Sequence, residues 1–334
     1  MKPRQAMLYS ILMFYLSFTP LAQAQTIDWY NLPQFFYTGN IFYGHLLGYP
    51  IEFVGRDLNG TGLNGTVLNG KQIVSVSYQG ATLAGELLET MALRETRFTV
   101  NGKNGLAKGK NDLVGAEFVA SLDNGDTLLL RIEDVYQHPD KEHRDIYLYN
   151  ITYSTSEGRR SLCGYDDQGQ IIPAIPLEGK WDYSQGTAQG GSKIQDNTAF
   201  TFGCVDYVLA KCVLAGYKPW AIAQVCQKKE GCQKITLEAF HQTCTRMLRA
   251  DYCGDGRAHT EEHLLINVYD AFGIRIDNDD WNVEAEWDPN GAVCVRNSRA
   301  GHNIPGCATS RFKYDCGNRD HFYTGTLLIT ETAP

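Results

Sequence analysis

No cysteine precedes Cys163 in a chain of 334 residues that carries ten of them. Disulfides within the first part are thereby excluded, and that part has to hold together by its own core. No dense Lys/Arg cluster interrupts a chain of 30 basic and 38 acidic residues, which sets nucleic acid and anionic membrane surfaces aside as main partners. After the first two dozen positions there is no apolar run of about 18 residues, so no integral membrane segment is expected in the mature chain. A Gly-rich phosphate loop, a dinucleotide fingerprint and a Gly-x-Ser-x-Gly elbow are all missing, which removes the commonest nucleotide-binding and serine-hydrolase classes.

What is present begins with an address. Lys2 and Arg4 precede the apolar run Met7 to Phe18, and Ala22-Gln23-Ala24 supplies a small-x-small cleavage pattern. Residues 1–24 read as a cleavable signal peptide, followed by Gln25 rather than a lipid-accepting Cys, and the product is expected in the periplasm or outside the cell. Loss of Lys2 and Arg4 moves the formal charge from −8 to −10, 28 bases against 38 acids. In that setting ten cysteines imply up to five disulfides rather than a metal or redox set. Their confinement to the second half suggests two regions, 25–155 and 156–334.

The first region is expected to be β-rich. An apolar residue recurs every fifth position from Phe53 through Leu58, Leu63, Leu68, Ile73, Tyr78, Leu83, Leu88 and Leu93 to Phe98, with Leu-Asn-Gly repeated at the start. That period suits a coiled solenoid resembling pentapeptide repeats, with a β-meander through Ile73 to Tyr78 and Arg97 to Val100 as the plainer alternative. Val114 to Leu122 and Thr127 to Val135 then form a hairpin through Asn124-Gly125, and Ile146 to Ser154 adds a third antiparallel strand. Residues 164–200 read as a long surface connection, with Ile171 to Leu177 an edge strand.

The second region is organised around Cys204 to Cys253, which holds six cysteines. Pairing Cys204–Cys253, Cys212–Cys244 and Cys226–Cys232 gives position sums of 457, 456 and 458. A near-constant sum is what two antiparallel segments in register produce. Helical spacing along Phe202 to Ala215, with Gly216 as its stop, and along Leu237 to Leu248 after Thr236 predicts a disulfide-stapled helical hairpin. Glu238, Gln242, Thr245, Arg246 and Arg249 are then turned outward. Cys253 falls on the wrong side of a continuous helix, so the second helix is expected to end near Ala250 to Asp251. The remaining cysteines suggest Cys163–Cys294 and Cys307–Cys316, and Leu264 to Tyr269, Gly291 to Arg296 and Thr324 to Thr330 read as strands. The expected fold class is α+β: a β-rich first region with a short pentapeptide-like repeat over about 53–98, then a stapled helical hairpin with additional β-strands.

Phe202-Gly203-Cys204 through Ala210-Lys211-Cys212, Gly216 to Trp220, His241 to Gly256 with Ala250-Asp251-Tyr252-Cys253 at its centre, and Gly291 to Val295 together resemble the bacterial ADYC-domain proteins. The resemblance spans roughly 105–300. It implies an exported protein and carries no catalytic residue across.

Chemistry must therefore be weighed from the residues. Arg249, Asp251, Asp255 and His259 crowd both charge signs beside a cysteine and are the candidate catalytic set, Arg249 for an anionic group and Asp255 or His259 for a proton. The plainer reading makes them turn caps and buried pairs. Cys253 is assigned to a disulfide rather than to nucleophilic work. His259-Thr260-Glu261-Glu262-His263 matches an inverted zinc-peptidase motif, but that motif needs a helix, so no metal is expected and His259 with His263 is kept as the alternative. Asp277 to Asp280 could offer oxygens to calcium. The function expected is a non-enzymatic, envelope-associated or binding module for an unknown protein or envelope glycan, with no cofactor. The alternative is an extracellular hydrolase, zinc-dependent or not, built on the Arg249 to His263 cluster.

Overall fold

A computed structural model describes residues 51–52, 67–68, 70–100, 113–227, 231–261, 264–277, 280–299, 303, 305–309 and 315–333. The signal-peptide reading and the Leu-Asn-Gly repeats of 53–66 fall outside them.

Six strands close into an antiparallel barrel: β1 (Lys71–Ser77), β2 (Glu117–Leu122), β3 (Thr127–Gln137), β4 (Tyr147–Thr155), β5 (Ala174–Glu178) and β6 (Ala199–Cys204). Neighbours in sequence are neighbours in the wall, and β6 returns to β1 through Ala199↔Ser77 and Phe200↔Val76. The alternation of strand side chains fills the interior. Phe118, Leu130, Ile132, Ile151, Ala174, Phe200, Phe202 and Cys204 all point into one core. Phe98, from a hairpin of Met91–Arg94 and Arg97–Val100, stands among the rings of Phe118, Tyr149 and Phe200 at centroid distances of 5.4, 5.4 and 4.9 Å.

The outer face of β4 and β5 carries Leu148, Ile175 and Leu177 into a second core, shared with α1 (Val208–Leu214) and α2 (Glu238–Leu248). Beyond the helices lies a second antiparallel sheet, ordered Ile51–Glu52, β7 (Leu265–Asp270), β10 (Leu328–Thr332), β8 (Asn282–Asp288) and β9 (Gly291–Val295). Every residue of α2 from Phe240 to Leu248 is buried, because this helix has a partner on each side.

The α+β helical-hairpin expectation is therefore corrected: the described residues are mostly β, and the principal feature is a closed barrel. Three physical reasons account for the error. Short apolar runs do not distinguish helix from strand, and Phe200, Phe202 and Cys204 obey the period of two rather than that of a helix. The helices are separated by a β-ribbon of Ile222–Gln227 and Gly231–Thr236, whose antiparallel register produces the near-constant sum as well as a helix pair would. Gln242, Thr245 and Arg246 are buried rather than outward because polar side chains are admissible in a two-sided helix when each is bonded. Ala174–Glu178 is a wall strand rather than an edge, so 164–200 is not a surface connection, and the 155/156 division runs through the barrel. Leu88, Leu93 and Phe98 are buried at their five-residue interval, but on tight hairpins rather than a coil.

The disulfides follow the same correction. Cys212–Cys244 joins the two helices. Cys204 pairs with Cys163, not Cys253, because it belongs to the barrel wall and faces its interior. Cys253 pairs with Cys307, and Cys294 with Cys316, in place of Cys163–Cys294 and Cys307–Cys316. Cys226 and Cys232 stand opposite each other in the ribbon register; their side chains lie outside the described residues. The four disulfides among the described residues fit maturation outside the cytoplasm. Among the described residues no helix is long and apolar enough to cross a membrane.

Candidate functional site

The candidate residues meet where α2 ends. Asp251 N–H donates to Arg246 O at 2.9 Å and Ala250 N–H to Met247 O at 3.0 Å, the paired bonds of a Schellman stop. Ala250 takes the left-handed position at φ 49° with its methyl fully buried, where glycine is usual.

Asp251 is the hub of the turn that follows. Its Oδ1 accepts from Asp255 N–H at 3.0 Å; its Oδ2 accepts from Gly256 N–H at 3.0 Å and pairs with the Arg246 guanidinium at 2.5 Å. Neither charge has solvent contact of note, at 2% exposure for the Arg246 side chain and 0% for Asp251. Arg246 also donates to Ser192 Oγ at 2.8 Å, Pro289 O at 3.3 Å and Gly190 O.

The Ser192 and Gly190 contacts come from a clasp. Lys180–Trp181 pairs with Lys193–Ile194, and the loop between them wraps the turn. Gly186 and Thr187 N–H donate to Asp255 O at 2.7 and 3.3 Å, while Gln242 Nε2 donates to Gly191 O at 2.9 Å. The approach is close enough to require glycine. A Cβ on Gly254, at φ +66°, would collide with Asn290 O, and one on Gly256, at φ +84°, with Ser184 O.

Arg249 is buried, donates to Gly256 O and leaves Nε without a hydrogen-bond partner. Burial pulls its guanidinium below the ordinary value and Arg246 adds to this, while Asp251 and Asp255 oppose it. Tyr252 stacks on Trp287 at 5.3 Å and donates to Glu284 Oε1 at 2.8 Å, and its hydroxyl is pushed far up, first by burial and then by the Glu284 charge. Glu284 is paired in turn with Arg299 at 2.9 Å, whose guanidinium caps α2 through Met247 O and Leu248 O at 3.0 and 3.2 Å. Two buried ion pairs thus clamp one helix end.

Asp255 bonds its own turn through Arg257 N–H at 3.1 Å. His259 donates its N–H to Arg249 O at 2.9 Å and lays its ring 5.9 Å from that of Tyr252. It stands in irregular chain rather than on the helix that the zinc-peptidase motif needs, and Glu262 and His263 lie outside the described residues. In the other acidic stretch, Asp277 is tied to Asn267 at 2.9 Å and to Arg319 at 2.7 Å; Asn278 and Asp279 are outside the described residues. Arg249, Asp251, Asp255 and His259 therefore do come together, but bound to the chain itself. Sequence reasoning missed Arg299, Glu284 and the 184–192 clasp. Only the Gly190-Gly191 pair in the clasp hinted at a close approach.

The chain matches the ADYC domain over residues 110–301 and belongs to the ADYC-domain family. The tetrapeptide of that name is the turn at Ala250 to Cys253. No curated protein and no solved structure matches the chain.

Proposed function

We propose that this protein is an exported, non-enzymatic binding module, in which the ADYC turn is the internal clamp of a rigid body that presents its surface to an envelope glycan or protein. The observation that carries the reading is the state of Asp251: a fully buried carboxylate whose two oxygens accept from two backbone amides and one guanidinium. A general base needs a lone pair directed at a substrate. Arg249 is buried as well and donates to Gly256 O within the same turn. Among the described residues the hydrolase alternative then rests on Asp255 and His259.

The test pairs binding with turnover. Purified protein is sedimented with insoluble envelope glycan and assayed against chromogenic ester, peptide and glycoside substrates. Binding without turnover is the expected result. Hydrolysis that disappears in Asp255→Asn or His259→Ala at unchanged melting temperature would overturn the reading in favour of the enzyme.

A further inference from the structure

The second sheet holds a buried carboxylate beside a disulfide. Glu286 and Cys294 are register partners on β8 and β9, so their side chains leave the same face. Cys294 is bridged to Cys316. The Glu286 carboxylate and the two sulfurs lie within 4.8 Å of one another, and all three residues are buried. The neighbouring Glu284, also fully buried, is neutralised by Arg299. Among the described residues Glu286 meets no guanidinium; it takes His321 Nδ1 at 2.7 Å, Thr326 Oγ1 at 2.7 Å and Gly317 N–H at 2.7 Å. These contacts fix the carboxylate in the way outer-shell partners fix a metal ligand. The strand pairing, the bulge between Glu286 and Trp287 and the 316–326 segment thus gather two sulfurs and an oriented carboxylate at one point.

We propose that Glu286, Cys294 and Cys316 form a zinc site that becomes available when the Cys294–Cys316 disulfide is reduced, with His321 as the residue that orients Glu286. Thiolate and carboxylate donors suit zinc, and three protein ligands leave a fourth position for water. Reduction by a water-soluble phosphine breaks the S–S bond: the phosphine loses two electrons and takes oxygen from water to become its oxide, and the water protons end on the two thiols. A zinc ion then displaces those protons to solvent. In the oxidised protein the same bond holds the donors together and denies them to metal.

The experiment uses the full mature chain, reduced with phosphine, stripped with a chelator and titrated with cobalt(II), then zinc, while absorbance and near-ultraviolet circular dichroism are followed. The expected result is a thiolate-to-cobalt charge-transfer band that saturates, is displaced by zinc and is missing without reduction. Cys294→Ser/Cys316→Ser should bind one metal equivalent fewer than wild type. Glu286→Gln should bind at least about tenfold more weakly, and Cys316→Ser should do the same while leaving Glu286 and Cys294 in place. Equal stoichiometry in wild type and the double variant overturns the proposal. So does a reduced chain that loses its near-ultraviolet signal before metal is added.

Discussion

Asp251→Asn is the substitution that tests the clamp most directly. It keeps the size of the side chain and the acceptor for Asp255 N–H. It also removes the charge opposite Arg246 and places an amide NH₂ where Oδ2 now accepts from Gly256 N–H and from the guanidinium. Breaking one half of a buried ion pair typically costs about 3–5 kcal/mol, because the partner charge stays buried without compensation. At about 2–4 °C per kcal/mol for a domain of 150–250 residues, the melting temperature should fall by roughly 6–20 °C. Replacing both partners, as in Arg246→Met/Asp251→Leu, removes the stranded charge but leaves the amides of Asp255 and Gly256 without an acceptor. At about 1–3 kcal/mol for each orphan donor, that variant should recover only part of the loss. Asp255→Asn, whose side chain is partly exposed at 19% and serves one turn amide, should cost about 1 kcal/mol or less. Differential scanning calorimetry on the three variants gives the ranking. An Asp251→Asn protein that melts within about 2 °C of wild type would refute the argument, since no buried charge could then have been stranded.

Three further outcomes are expected. Non-reducing peptide mapping should recover Cys163–Cys204 and Cys253–Cys307, and Cys163→Ser/Cys204→Ser, opening a loop of 41 residues, should lower unfolding free energy by about 4 kcal/mol in urea titrations. His241 is buried with Nε2 against Leu209 O, and burial depresses its imidazole to about 4. Its folded value lies below its unfolded value of 6.5, so the contribution is complete above about pH 6.5 and is lost as pH falls toward 4, by an amount on the order of 3 kcal/mol. Urea melts of His241→Gln at pH 7 and 4.5 should therefore show a shallower acid loss than wild type, and parallel losses would count against it. Ala250→Gly exchanges relief of a left-handed strain of about 1–2 kcal/mol for the loss of a buried methyl and should be near neutral by chemical denaturation, whereas Ala250→Val should destabilise by more than about 2 kcal/mol.

Some of this was readable from residues alone. The β2–β3 hairpin shows itself through Asn124-Gly125, and Gly125 indeed turns at φ 86° with its N–H on Leu122 O. The end of α2 was placed within two residues by the phase of Cys253, because helical geometry is local. Cys204 was misread for the opposite reason: nothing within its own segment reveals that the wall beside it is formed by Ala174–Glu178 and by Lys71–Ser77, the latter more than a hundred residues upstream. The same limit hid the clamp. Glu284 and Glu286 alternate in a strand as solvent-facing acids do, and only the fold supplies Arg299 and His321 to meet them. Arg246 and Arg249 carry the polar signature of an exposed helix face, and it takes a layer on each side of α2 to turn that signature inward.

The seam between β6 and β1 has a consequence for the order of events during synthesis. Val76 and Ser77 are made some 120 residues before Phe200 and Ala199, their partners, so the ring cannot be completed until most of the chain has emerged. Long-range pairing of this kind slows folding, since loop closure comes before the contacts that reward it. Until then β1 has one unsatisfied edge, and an open edge is a template for pairing with another molecule. Cys204 ends the closing strand, and its bond to Cys163 can form only when that strand has reached the wall. That bond fixes β6 to the wall already made, where Cys204 stands beside Ala174 of β5, and the seam itself is left to the pairs of Ala199 and Phe200 with Ser77 and Val76.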